Sequence, residues 1–128
     1  MDLTLAPAVD QLAALAAGDV SSTELLEATL DRYERFDPPV NAVVVTRIDD
    51  ARRRAADLDR AAARGEPLGA LHGIPMTVKE AFDWVGTPST WGDPALADNM
   101  PTTNATAVDR LLDAGAVIYG KTNVPLGL

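Results

Sequence analysis

The sequence predicts an α/β fold, with N-terminal helices leading into part of a mixed central β-sheet that is flanked by further helices. Three observations support this. Apolar residues recur mostly at helical spacing from Pro7 to Gly65. An apolar run, Ile74 to Val78, follows a glycine-punctuated approach and has the length of a buried strand. Asn104 to Tyr119 then reads as helix, glycine, apolar strand, the αβ half of an α/β unit, which calls for a parallel or mixed sheet.

The first helix is expected from Pro7 to Ala17. Pro7 suits its opening and Gly18 a left-handed end, with Val9, Leu12, Ala13 and Ala16 as the apolar face. Ser21-Ser-Thr-Glu24 is a capping box that opens a second helix, striped by Leu26, Leu30 and Tyr33 and ended by Asp37-Pro-Pro39. Val40 to Thr46 is valine-rich and reads as a short strand. A third helix spans Asp49 to Arg64, with Ala51, Ala55, Leu58 and Ala62 inward and Gly65 as its terminator. Its Arg52-Arg-Arg54 run is balanced by Asp49, Asp50, Asp57 and Asp59, so a solvated face is expected there. Beyond Gly65 loops dominate. Gly86 to Thr103 contains Pro88, Gly92, Pro94 and Pro101 and is expected to be a long ordered loop, the kind that carries function. Asn104 is positioned to cap a helix of about ten residues that buries Val108, Leu111 and Leu112 and ends at Gly115. Ala116 to Tyr119 follows as a short buried strand.

The totals exclude several function classes. A chain of 128 residues has the size of one domain, helical over 1–65 and sheet-bearing over 66–128. A formal charge of −8 argues against binding nucleic acid or an anionic membrane. With no cysteine there is no disulfide or thiolate chemistry, which suits the cytoplasm. No apolar run approaches the roughly 20 residues that span a bilayer. His72 is the only histidine, so no histidine metal site can be assembled, and its place before a strand suits a structural ring. No cofactor or metal is expected. Asp93, Asp98, Asp109 and Asp113 are scattered, with no spacing that implies shared acid–base work. Trp84 and Trp91 flank the long loop, either as packing residues or as the lining of a substrate cleft, with packing the expected role.

Two motifs remain. Gly115-Ala-Val-Ile-Tyr-Gly-Lys-Thr122 matches the phosphate-loop pattern letter for letter. That loop needs flexible residues between its glycines and a helix after them, whereas here the intervening residues are a strand and Pro125 follows closely. Nucleotide binding is therefore rejected. In Gly69-Ala-Leu-His-Gly-Ile-Pro-Met-Thr-Val-Lys-Glu80 a charged residue closes an apolar strand. Lys79 there is either a solvated strand end, a partner of Glu80, or an amine that has lost its hydration and so works as a base. The chain has nine arginines and only two lysines, Lys79 and Lys121, each at the close of a strand-like run.

The Gly69–Lys79 stretch, together with Thr87-Pro-Ser-Thr-Trp-Gly92 and Ala114-Gly-Ala-Val-Ile-Tyr-Gly-Lys-Thr-Asn123, resembles the amidase signature family from about Pro7 onward. The resemblance implies an amide-bond hydrolase of the serine, cis-serine and lysine type on a truncated amidase signature fold. Lys79 would be the base that takes a proton from the bridging serine. It also implies that the sheet rim holds Lys79 dehydrated and uncharged at rest. Glu80 stands where many relatives carry aspartate, and Leu126 where many carry glutamate. The family's Gly-Gly-Ser-Ser-Gly-Gly segment has no counterpart here, and the only serines are Ser21, Ser22 and Ser89. The chain is therefore expected to be an N-terminal portion, inactive alone, with a small amide as the substrate of the complete protein. The alternative is a non-catalytic, partner-binding fragment related to amidotransferase A subunits, which work in a complex. Unpaired strand edges and exposed apolar surface are expected to follow.

Overall fold

The computed structural model describes residues 2–128. Its order is α1 (Ala8–Ala17), α2 (Ser22–Phe36), β1 (Val43–Thr46), α3 (Ile48–Ala63), β2 (Pro75–Lys79), α4 (Thr106–Asp113) and β3 (Val117–Thr122), with short 3-10 turns at Leu3–Leu5 and Pro94–Leu96. The three strands make one mixed sheet in the order β1-β3-β2. β3 pairs antiparallel with β1 and parallel with β2. The sheet thus draws β1 from the helical half of the chain.

Two apolar clusters hold the layers together. Leu26 and Leu30 of α2 meet Ala51 and Ala55 of α3 over Val117 of β3, with Tyr119 at the edge. Alanine on α3 lets the two helices approach closely while leucine fills the space between them. Val78, Trp84, Val108 and Ile118 form the second cluster, where α4 packs on the sheet. Burying each of the large side chains contributes about 1.5–3 kcal/mol.

Several expected elements stand as read, and each has a visible physical cause. The Ser21 hydroxyl accepts from the Glu24 amide while the Glu24 carboxylate accepts from the Ser21 amide, closing the capping box. Gly18 and Gly115 end α1 and the α4 turn with φ of 74° and 95°. Gly115 to Lys121 runs into a strand, with Val117 fully buried and Tyr119 half-buried in the sheet, as the rejection of a phosphate loop requires.

Others are corrected. Val9 is 70 % exposed, and Ala13 and Ala16 are exposed too, so of the expected face only Leu12 packs, joined by Leu15. The helix is turned by Gln11, whose side-chain amide donates to the carbonyls of Leu3 and Ala6. Ala62 is exposed near the end of α3. β1 begins only at Val43, because the Asp37 carboxylate accepts from the amides of Ala42 and Val43 and holds residues 38–41 in a turn. Asn104 does not cap α4. Its side chain accepts from the Val85 amide and donates to Asp109, while Ala105 occupies the cap without a side-chain bond. β3 extends three residues past Tyr119, since β1 and β2 both supply ladder partners there.

The arginine run is also not uniformly solvated. Arg52 and Arg53 are exposed, but Arg54 is half-buried and donates to the Leu112 and Ala116 carbonyls, tying α3 to the end of α4. Asp59 does more than balance charge. It accepts from the amides of Ser22 and Thr23 and from the Thr23 hydroxyl, and so fastens α3 to the N-terminus of α2.

Candidate active site

β2 and β3 run parallel, Pro75 beside Val117 and Lys79 beside Thr122 with a shift of register between Met76 and Thr77, so their carboxyl ends open on the same side of the molecule. In open α/β sheets that is where ligands bind. Lys79 is the last residue of β2 and stands at this opening.

Its side chain is exposed. The expectation of a dehydrated amine is therefore corrected for this chain, and the reason lies in the pleat. Val78 and Glu80 on either side are 8 % and 3 % exposed, and successive strand residues point to opposite faces, which places Lys79 outward. β2 is also an edge strand, so none of the strands described here lies beyond it.

The buried lysine is Lys121, which is fully enclosed. Its Nζ donates to the Pro88 carbonyl at 2.6 Å and to Ser89 Oγ at 3.1 Å. Burial pushes its pKa down, opposed by the negative charges of Glu80 and Asp83. Glu80 works on the same loop from β2. Its carboxylate accepts from the amides of Thr90 and Trp91, the latter at 3.0 Å. Residues 88–91 are thus gripped by a buried ammonium and a buried carboxylate that project from neighbouring strands. The sequence offered Glu80 only as a partner of Lys79 and gave Ser89 no role in holding a lysine. The available signal was the pair of lysines in an arginine-rich chain, but it did not say which of the two is enclosed.

The loop residues also converge on the segment after β3. A Cβ added at Gly92 would lie 3.1 Å from the Leu126 amide nitrogen, and the Gly127 amide donates to the Trp91 carbonyl at 2.9 Å. Leu126 itself is 72 % exposed. The two tryptophans differ: Trp84 is buried in the α4 cluster under the Arg47 guanidinium, whereas Trp91 is 45 % exposed, contrary to the packing expected of both.

His72 lies ahead of β2, at the opposite end of that strand from Lys79, and the structure does not bring the two together. It is buried, and burial lowers its pKa, opposed by the charge of Asp59 and reinforced by that of Arg54. It is a structural ring, next to Gly73, where a Cβ would come within 2.2 Å of Ser22 Oγ. Asp93 caps the Pro94–Leu96 turn, and Asp98, Asp109 and Asp113 are exposed. Ser21 caps α2, Ser22 packs against Gly73 and Ser89 serves Lys121, so none of the serines stands free beside Lys79. Among the described residues no group of three or more His, Asp or Glu side chains could hold a metal ion, and no helix is long and apolar enough to cross a membrane.

Comparison with known proteins gives a consistent picture. The family model described as Amidase matches residues 24–128. The chain is 41 % identical over 118 residues to an acylamidase of Rhodococcus erythropolis, covering 92 % of this chain and 25 % of that protein. It is 41 % identical over 123 residues to the A subunit of the glutamyl-tRNA(Gln) amidotransferase of Acidothermus cellulolyticus, covering 96 % and 24 %. Among solved structures it superposes on a bacterial aryl acylamidase of the amidase signature family with a TM-score of 0.87 and 33 % identity, covering 94 % of this chain and 26 % of that one. The chain spans about a quarter of the length of the curated relatives it matches.

Proposed function

Since the chain belongs to the amidase signature family, we propose that it carries the lysine base of an amide-bond hydrolase, with Lys79 in that role. The observation that supports this reading is the position of Lys79: the terminal residue of β2, beside the end of parallel β3. An amine placed there can meet hydroxyls that other polypeptide brings to the opening. In such a site Lys79 would take a proton from a bridging serine, which in turn activates the nucleophile, and backbone amides would hold the oxyanion. Cover by that polypeptide would remove water from Lys79 and favour its neutral form. The substrate would be a small amide and the setting the cytoplasm, and no cofactor enters the chemistry.

The 128 residues alone would then hydrolyse no amide, because no serine stands free at the opening. The test has two arms. The chain alone, assayed beside an active full-length relative, is expected to give no turnover. The chain fused to the remaining length of the Rhodococcus acylamidase is expected to turn over, and Lys79→Ala to lower its rate by at least about 100-fold, the contribution of a positioned base. Turnover by the chain alone that Lys79→Ala abolishes would overturn the view that the hydroxyls come from elsewhere. An active fusion indifferent to Lys79→Ala would overturn the role of the lysine.

A second reading is favoured by the similarity to an amidotransferase A subunit over 96 % of the chain. In that case the piece serves as a partner-binding portion of a complex. Inactivity of every fusion, together with capture of the chain by the other subunits of an amidotransferase, would select it.

A further inference from the structure

We propose that α1 is an acid-released lid: it lies against the buried imidazole of His72 by apolar contact alone, and it undocks when that ring takes a proton.

The segment that carries His72 is firmly held. The Leu71 amide donates to the Ala114 carbonyl at 2.8 Å and the Gly73 amide to the Gly115 carbonyl at 2.9 Å, which pins the entry to β2 against the turn after α4. A Cβ added at Gly115 would lie 2.9 Å from the His72 Cα, so the two backbones leave no slack between them. α1 is attached in the opposite manner. None of its residues is buried. Among the described residues no hydrogen bond or ion pair joins it to another α-helix or to the sheet, and the Gln11 side chain reaches only the Leu3 and Ala6 carbonyls just ahead of it. What holds α1 is the half-buried pair Leu12 and Leu15. Leu15 Cδ2 would lie 3.3 Å from a Cβ added at Gly73, the residue after His72. Packing at this contact is also incomplete. Leu15 and His72 together line two cavities, one of about 220 Å³ that Ser22, Glu24 and Asp59 share, and one of about 200 Å³ that Leu12, Leu68 and Ala70 share.

A neutral ring suits this place and a charged one does not. From α1 the ring meets only leucine, and from the turn after α4 only main chain. The titratable groups that face it are Glu24 of α2 and Asp59 and Arg54 of α3. Both carboxylates already accept from helix-end amides, Glu24 from Ser21 and Asp59 from Ser22 and Thr23, and Arg54 repels a second cation. Burial therefore keeps the imidazole below its ordinary 6.5 in spite of the charge on Asp59. A protonated ring presents two N–H donors that need acceptors, and the two cavities are where water can supply them. The backbone around His72 is pinned, so the part that yields is α1, which loses no polar bond by moving. Gly18, left-handed with φ of 74°, gives the chain a joint at its end. The docked form binds the proton less well than the released one, so docking is complete above about 6.5 and is lost as pH falls through the lowered value.

The test is hydrogen exchange of the 128-residue chain, at a concentration where it is monomeric, followed helix by helix at about pH 7.5 and 5.5 with rates corrected for intrinsic exchange. Protection of the α1 amides from Leu12 to Ala17 is expected to fall about tenfold in acid, while that of α2 and α3 holds. His72 is the only histidine, so its ring titration is read directly by NMR, and it should track the release of α1. His72→Gln should keep α1 equally protected at both pH values. Leu15→Ala should loosen α1 at both and move the ring titration up toward 6.5. Protection of α1 that ignores pH, a loss shared equally by α3, or an acid response kept in His72→Gln each overturns the lid. If His72→Gln does not fold, Leu15→Ala decides alone: a ring titration unmoved by the loosening of α1 overturns it as well.

Discussion

The two lysines of this chain are expected to behave as opposites. Lys121 is enclosed and serves two acceptors, so Lys121→Met leaves the Pro88 carbonyl and Ser89 hydroxyl without their donor and should cost about 1–3 kcal/mol in urea unfolding. Lys79 is exposed, and Lys79→Met should change stability by no more than about 0.5 kcal/mol. Equal costs would sink the contrast. The sequence marked both residues as unusual in an arginine-rich chain and could go no further, because burial of Lys121 depends on a loop about thirty residues upstream in the chain. Two other polar groups contribute to the acid response. His72 titrates below its ordinary 6.5 because burial disfavours its charge. Asp59 titrates below 3.8: burial alone would raise it, but the hydrogen bonds from Thr23 and Ser22 outweigh that. In both cases the unfolded chain binds more protons, so stability falls as pH falls, first below about 6.5 and again below about 4. Unfolding midpoints measured against pH should lose the first decline in His72→Gln and show a smaller second decline in Asp59→Asn, the rest coming from the lowered carboxylates of Glu24, Glu27 and Asp50.

Among elements, local signals are legible in the sequence and non-local ones are not. The Ser21–Glu24 box and the glycine ends of α1 and α4 are written in residues that touch near neighbours, and each is where the sequence put it. Asn104 has the chemistry of a cap, but its side chain is engaged by the Val85 amide, a partner 19 residues away. Arg54 sits in a run of three arginines balanced by aspartates, yet it closes the carboxyl end of α4 through the Leu112 and Ala116 carbonyls. Arg54→Met should loosen α4 and cost about 1–3 kcal/mol, with faster amide exchange at Ala116 and Val117, while Arg53→Met should do neither. Equal exchange in the two variants would refute the clasp.

At the scale of the molecule, the α/β class and the strand pattern were legible, since the helix–glycine–strand unit at residues 104–119 dictates a sheet with a parallel pair. What the sequence concealed was the outward setting of Lys79, which follows from its place on an edge strand. Both β1 and β2 have one side unpaired by any strand described here, and Phe82, Val85, Met100 and Leu126 are exposed nearby or along the rim. The isolated chain should therefore self-associate. Sedimentation at increasing concentration should show mass above a monomer by about 100 µM, and a strictly monomeric profile would count against the exposed edges.

The middle strand of the sheet is the one that comes last along the chain. Among the described residues β1 and β2 do not pair with each other, and each has β3 as its neighbour in the sheet. During synthesis, both must wait on the ribosome without a hydrogen-bonding mate until residues 117–122 have emerged. Only α2 and α3, which pack on each other through the Asp59 fastening, can settle earlier. Nascent chains halted before Val117 should thus be helical yet easily digested, and a few more residues should make them resistant in one step.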